Sequence, residues 1–191
     1  MIEIETSATN PAFVAAIEAL RTADLRAELD LEQIPAPSKL ATNAVAFAAD
    51  VRHKSGTHQS DQGTGRFVLL HEPTAQESWG GNFRVVAFAK SPLDTFIGED
   101  AMASQVAWAW LTDALSSRKA HYTHDAGTAT RVISTGFGSL SDQSEHAEIE
   151  LRVSWSPVDN FAAHIAAWQD LVCMMSGLPQ LPTSVISLPQ N

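Results

Sequence analysis

Residues 146–155, HAEIELRVSW, alternate apolar and polar side chains without a break. Ala147, Ile149, Leu151, Val153 and Trp155 make one set; His146, Glu148, Glu150, Arg152 and Ser154 make the other. A period of two is what a strand needs to bury one face and wet the other. Such a strand has to be covered on its apolar side, and the next segment offers the cover. Phe161, Ile165, Trp168, Leu171, Val172 and Met175 recur at helical spacing, with Ser156 read as the cap, Pro157 in the first turn and Gly177 just past the end.

The same two periods recur upstream. Asn10 and Pro11 open a helix carrying Phe13, Ala16, Ile17 and Leu20. In LRAELDLE the apolar set Leu25, Ala27, Leu29, Leu31 alternates with Arg26, Glu28, Asp30, Glu32, which predicts a strand with the charges outward. IPAPSK interrupts it, and Val45, Phe47, Ala49 and Val51 share one face of the next strand. RFVLLH and NFRVVAFAK are two further strands joined by EPTAQESWGG; the second is apolar on both faces, as in a mid-sheet strand covered on both sides. Residues 99–117 predict a central helix ending near Arg118 and Lys119, whose cations favour the helix dipole. Residues 121–134 read as one hairpin, with DAG (125–127) as its turn and TATRVIS pairing back. The expected fold is α+β: a mainly antiparallel sheet of about six to seven strands with three helices, N-terminal, central and C-terminal. The 191 residues suit a single α+β domain, with 53–65 a flexible loop and 179–191 a loosely packed tail.

Composition narrows the function classes. One cysteine, Cys173, permits no internal disulfide and no four-cysteine zinc site. A net charge of −10 opposes nucleic acid and anionic membranes, since both demand Lys and Arg to meet phosphate. MIEIETSATN lacks the basic and apolar regions of a secretion signal, and no run reaches a membrane span, so a cytoplasmic protein is expected.

Taken in order, GRFVLLHEP, GNFRVVAFAK, WAWLTDAL, GTATRV and GLPQLP resemble an actinobacterial family of uncharacterised proteins, the domain-of-unknown-function family number three thousand, over roughly residues 10 to 188. The resemblance implies a bacterial cytoplasmic protein and carries over no activity, cofactor or catalytic residue. The element order is also similar to that of class I type III secretion chaperones and their non-secretion relatives, which implies a small, acidic, dimeric peptide-binding module.

The chemistry-bearing residues are few. His121 and His124 lie three apart, which on a strand puts them on opposite faces and argues against a shared metal. His53, His58 and Asp61 read as solvated loop residues. His164 falls in the apolar stripe of the last helix and needs a polar partner there, or else lines a pocket between helix and sheet. No G-x-S-x-G and no phosphate-loop signature is present, and Cys173 reads as packed. Arg66, Arg84 and Arg131 all sit on expected strands and could converge on an anionic ligand with His124 or His164. Along the central helix Ala103, Val106, Ala107, Trp110 and Ala114 read as one face, and Ser104, Trp108, Leu111 and Leu115 as a second, roughly opposite face. A helix apolar on two sides needs a second cover, which makes Trp108, Leu111 and Leu115 the candidate interface. With no catalytic constellation, no metal site and no cofactor motif, the expected function is a cytoplasmic binding or regulatory module. It would act through protein–protein contact, as a homodimer with a protein partner, without nucleic acid or membrane. The alternative is an anionic-ligand sensor or enzyme built on the strand arginines and a histidine.

Overall fold

The computed structural model describes residues 2–6, 8–52, 63–141 and 145–180. The elements run α1 (Pro11–Arg21), β1 (Leu29–Ile34), β2 (Asn43–Val51), β3 (Thr64–Gln76), β4 (Gly81–Leu93), α2 (Thr95–Glu99), α3 (Ala103–Ser117), β5 (Tyr122–Ser134), β6 (His146–Pro157) and α4 (Phe161–Met175). The six strands form one antiparallel sheet in the order β1-β2-β3-β4-β6-β5. The expected α+β class therefore holds, with a short fourth helix added.

The core lies on one side of that sheet. Phe47, Phe67, Leu69, Val85, Leu151 and Trp155 point the same way from adjacent strands and are buried. Above them lies α4, touched by the sheet, by α1 and by α3, and buried around its whole circumference. Trp168 anchors it by donating its indole N–H to the Phe88 carbonyl at 3.1 Å. Asn10 caps α1 by accepting from the Ala12 and Phe13 N–H groups. At the other end of the chain Gly177, at φ +74°, lets the Leu178 N–H reach the Cys173 carbonyl and closes α4.

Several expectations are corrected. The 121–134 hairpin is a single thirteen-residue strand, β5, that pairs along β6; a bulge between Thr123 and Ala126, with His124 at φ +55°, takes up the DAG residues that suggested a turn. Ser156 and Pro157 end β6, and Asn160 is the residue before α4. A separate short helix, α2, ends at Glu99, and the central helix expected over 99–117 is α3, starting at Ala103. Its two apolar faces are neighbours, centred roughly 110° apart at 3.6 residues per turn, and together they make one broad buried stripe through Ala103, Ala107, Leu111, Ala114 and Leu115. Strand β4 is central in the sheet but covered on one face only, leaving Val86 38% exposed. The early alternation holds within the strand, where Leu29 and Leu31 face inward and Asp30 and Glu32 outward, but not before it: the strand begins only at Leu29, Leu25 is exposed and Arg26 is buried.

Arg26 is inside because its partners are. Its NH1 donates to Asp170 Oδ1 at 2.9 Å, its Nε and NH2 grip Glu28, and NH2 also reaches the Pro179 carbonyl. Arg118 closes the cluster from the end of α3, donating to Asp170 Oδ2 at 2.6 Å. Burial alone would lower the Arg26 pKa, but the bonds from Glu28 and Asp170 hold it above the ordinary guanidinium value. So Arg118 serves an ion pair rather than the helix dipole. Of the 53–65 loop, residues 53–62, with His53, His58 and Asp61, lie outside the described residues, while Thr64 and Gly65 open β3. Of the 179–191 tail only Pro179 and Gln180 are described.

Candidate functional site

Strand parity decides which polar residues meet. With the in-facing set committed to the core, the residues between them stand on an uncovered face. There Arg66 on β3 is directly opposite Phe88 on β4, Phe88 is opposite Arg152 on β6, and Arg152 is opposite Thr128 on β5. The next row is Val68, Val86, Ser154 and Ala126. All of these but Val68, with Thr64, line an open groove of about 850 Å³. The Arg152 guanidinium lies over the Phe88 ring, 5.4 Å from its centroid, and pairs with Glu150 at 3.0 Å. Lys90 pairs with Glu148 at 2.7 Å. Arg66 is exposed and makes no hydrogen bond or ion pair among the described residues.

The predicted site residues divide. Arg84 shares this face but sits one row further along, donating to Ser154 Oγ at 2.6 Å, Ser156 Oγ at 3.1 Å and the His124 carbonyl at 2.6 Å. Burial lowers its pKa, with Asp125 opposing that shift. Arg84 and His124 are therefore neighbours through the main chain, while the His124 ring packs on Gly80. Arg131 does not join them. It lies opposite Ile149, so it faces the helices, and its NH1 donates to the Gly98 and Asp100 carbonyls at the end of α2. His164 is on the far side of the sheet, fully buried: Trp155 Nε1 donates to its Nδ1 at 3.0 Å and its Nε2 meets the Asp159 carbonyl at 3.0 Å. Burial pushes its pKa down to about 4, so it is a neutral, satisfied core histidine and lines no groove. His121 and His124 are held by separate partners, Asp159 and Thr123. Burial raises the Cys173 thiol to about 11, the opposite of a nucleophile.

The interface trio is also redistributed. Leu111 and Leu115 are each 1% exposed inside the chain's own core, so neither offers contact surface. Trp108 is half-buried against the core, and a Cβ on Gly127 would come within 2.8 Å of its ring. Exposed apolar surface gathers instead where β5 ends: Phe96 (84% exposed), Ile97 and Met102 around α2, Ile133 on β5, and Phe137 (80%) and Leu140 in the turn beyond.

The family model described as Protein of unknown function (DUF3000) matches residues 9–186. The chain belongs to the DUF3000 family. No curated protein and no solved structure matches it. For this DUF3000 chain the residues missed at the sequence level are Arg152 and Phe88. The signal for Arg152 was present in HAEIELRVSW, where it stands in the outward set. Phe88 gave no such signal, because an apolar residue between apolar neighbours reads as core.

Proposed function

We propose that this DUF3000 chain is a non-catalytic binding module of the actinobacterial cytoplasm that acts through protein–protein contact and pairs as a homodimer along β5. One observation carries the reading. Strand β5 ends the sheet, and among the described residues no strand lies beyond its thirteen residues. A long sheet edge is a template for another strand. Natural edges are blunted by shortness, charge or proline, and β1, the other edge, uses all of these. It has six residues, carries Asp30 and Glu32, and runs into Pro35. In β5 the stretch from Ala126 to Ser134 has Arg131 as its one charge and no proline.

Self-complementarity supports a second copy as the partner. A twofold centred on Thr128 sets Asp125 across from the partner's Arg131, three residues either side. The apolar residues Phe96, Ile133 and Phe137 then flank the seam. The location is supported by the family resemblance and by the acidic charge; no helix among the described residues is long and apolar enough to cross a membrane.

The test is light scattering after size exclusion over a concentration series. A dimer is expected, and the pair Thr130→Lys with Val132→Lys should weaken it at least about tenfold. A chain that stays monomeric at the highest concentration, or a dimer indifferent to both lysines, overturns the proposal. The alternative sensor or enzyme loses two of its residues, since Arg131 and His164 stand away from Arg66 and Arg84.

A further inference from the structure

We infer that the row Arg66–Phe88–Arg152 on the uncovered sheet face is a binding site for a small molecule with a flat apolar body and an oxyanion head. Adjacent strands lie about 4.8 Å apart, so the two arginines flank the phenyl ring from neighbouring strands on either side. Arg152 already lies over that ring, and its Nε and NH2 are turned to Glu150 at 3.4 and 3.0 Å, leaving NH1 without an acceptor among the described residues. The Arg66 guanidinium has its whole fork free among the described residues. Two planar donors carried on the strands either side of Phe88 suit a carboxylate or phosphate, which accepts from both.

The body of the ligand has a matching floor. Val86 and Phe88 are consecutive outward positions of β4, and Ala126 and Thr128 form the wall on β5. Ser154 accepts from Arg84 and so keeps its hydroxyl proton to give. A volume of about 850 Å³ falls in the range of small-molecule sites. Charge complementarity names the ligand: in a chain of net charge −10, Arg66 is an exposed cation with no carboxylate on it among the described residues. The same net charge works against a polyanion, because it repels every phosphate beyond the groove.

The experiment titrates the ¹⁵N-labelled full chain with four probes, namely phenyl phosphate, benzoate, inorganic phosphate and benzyl alcohol, following the Nε–H resonances of Arg66 and Arg152. Phenyl phosphate or benzoate should shift both resonances together and saturably, and the tighter of the two identifies the head group. Inorganic phosphate and benzyl alcohol should each bind at least about tenfold more weakly. Arg66→Gln with Arg152→Gln should cost at least about tenfold in affinity, and Phe88→Ala, or Phe88→Leu if the alanine variant misfolds, should bring phenyl phosphate toward inorganic phosphate. The inference fails if neither aromatic anion moves the two resonances at about 10 mM. It also fails if inorganic phosphate binds as tightly as phenyl phosphate, or if the double glutamine variant binds unchanged.

Discussion

The two faces of the sheet are made by the same strands and differ in what stands on them. Toward the helices β4 and β6 present Val85, Ala87, Ala89, Leu151, Val153 and Trp155, all buried. Away from them the intervening residues are Val86, Phe88, Arg152 and Ser154, with only neighbouring side chains for company. The covered face removes apolar area from water and sets stability. The open face contributes little to stability, which leaves its side chains available for recognition.

If that division is right, substitutions should grade by face. Asp170→Asn should have the largest effect, about 3–5 kcal/mol, because it removes the buried carboxylate charge that Arg26 and Arg118 share; the fall in urea midpoint measures it. Leu151→Ala, which empties a core position on the covered face, should cost about 3 kcal/mol by the same measurement.

Acid should act through the covered face as well. The His164 pKa falls from its ordinary 6.5 to about 4 on folding, so between those values the unfolded chain takes up the proton and the native chain refuses it. Its contribution is complete above pH 6.5 and declines as pH drops, by up to about 3 kcal/mol near pH 4. Urea melts at pH 7 and pH 4 should show this slope, and His164→Asn should flatten it. Phe88→Ala on the open face should cost about 1 kcal/mol, and Arg66→Gln should stay within about 0.5 kcal/mol. A Phe88→Ala loss equal to that of Leu151→Ala would break the distinction between the faces.

What could be read from the residues followed how local its cause was. The β6 alternation, the α1 cap and the Gly177 closure depend on near neighbours, and all were legible. Arg26 was not, since it lies ahead of the strand and its burial depends on Asp170, 144 residues away. The DAG triplet carries a turn signal strong enough to suggest a hairpin, yet pairing along the whole of β6 outweighs it and the triplet becomes a bulge. The groove was half legible. Arg66 and Arg84 were picked out, but Arg131 lies on the other face by the parity of its register, which no inspection of a single strand reveals.

The all-round burial of α4 has a consequence for how the chain is made. Ribosomes deliver residues N-terminus first, at about 5–20 per second. The undersides of β2, β3 and β4 therefore emerge well before the helix that sheathes them, and Arg26 waits for Asp170 until nearly the last. For roughly 4–25 seconds the nascent chain presents bare greasy strands, the interval in which aggregation competes with folding. A product cut short before Asn160 lacks α4 altogether and keeps that apolar face uncovered.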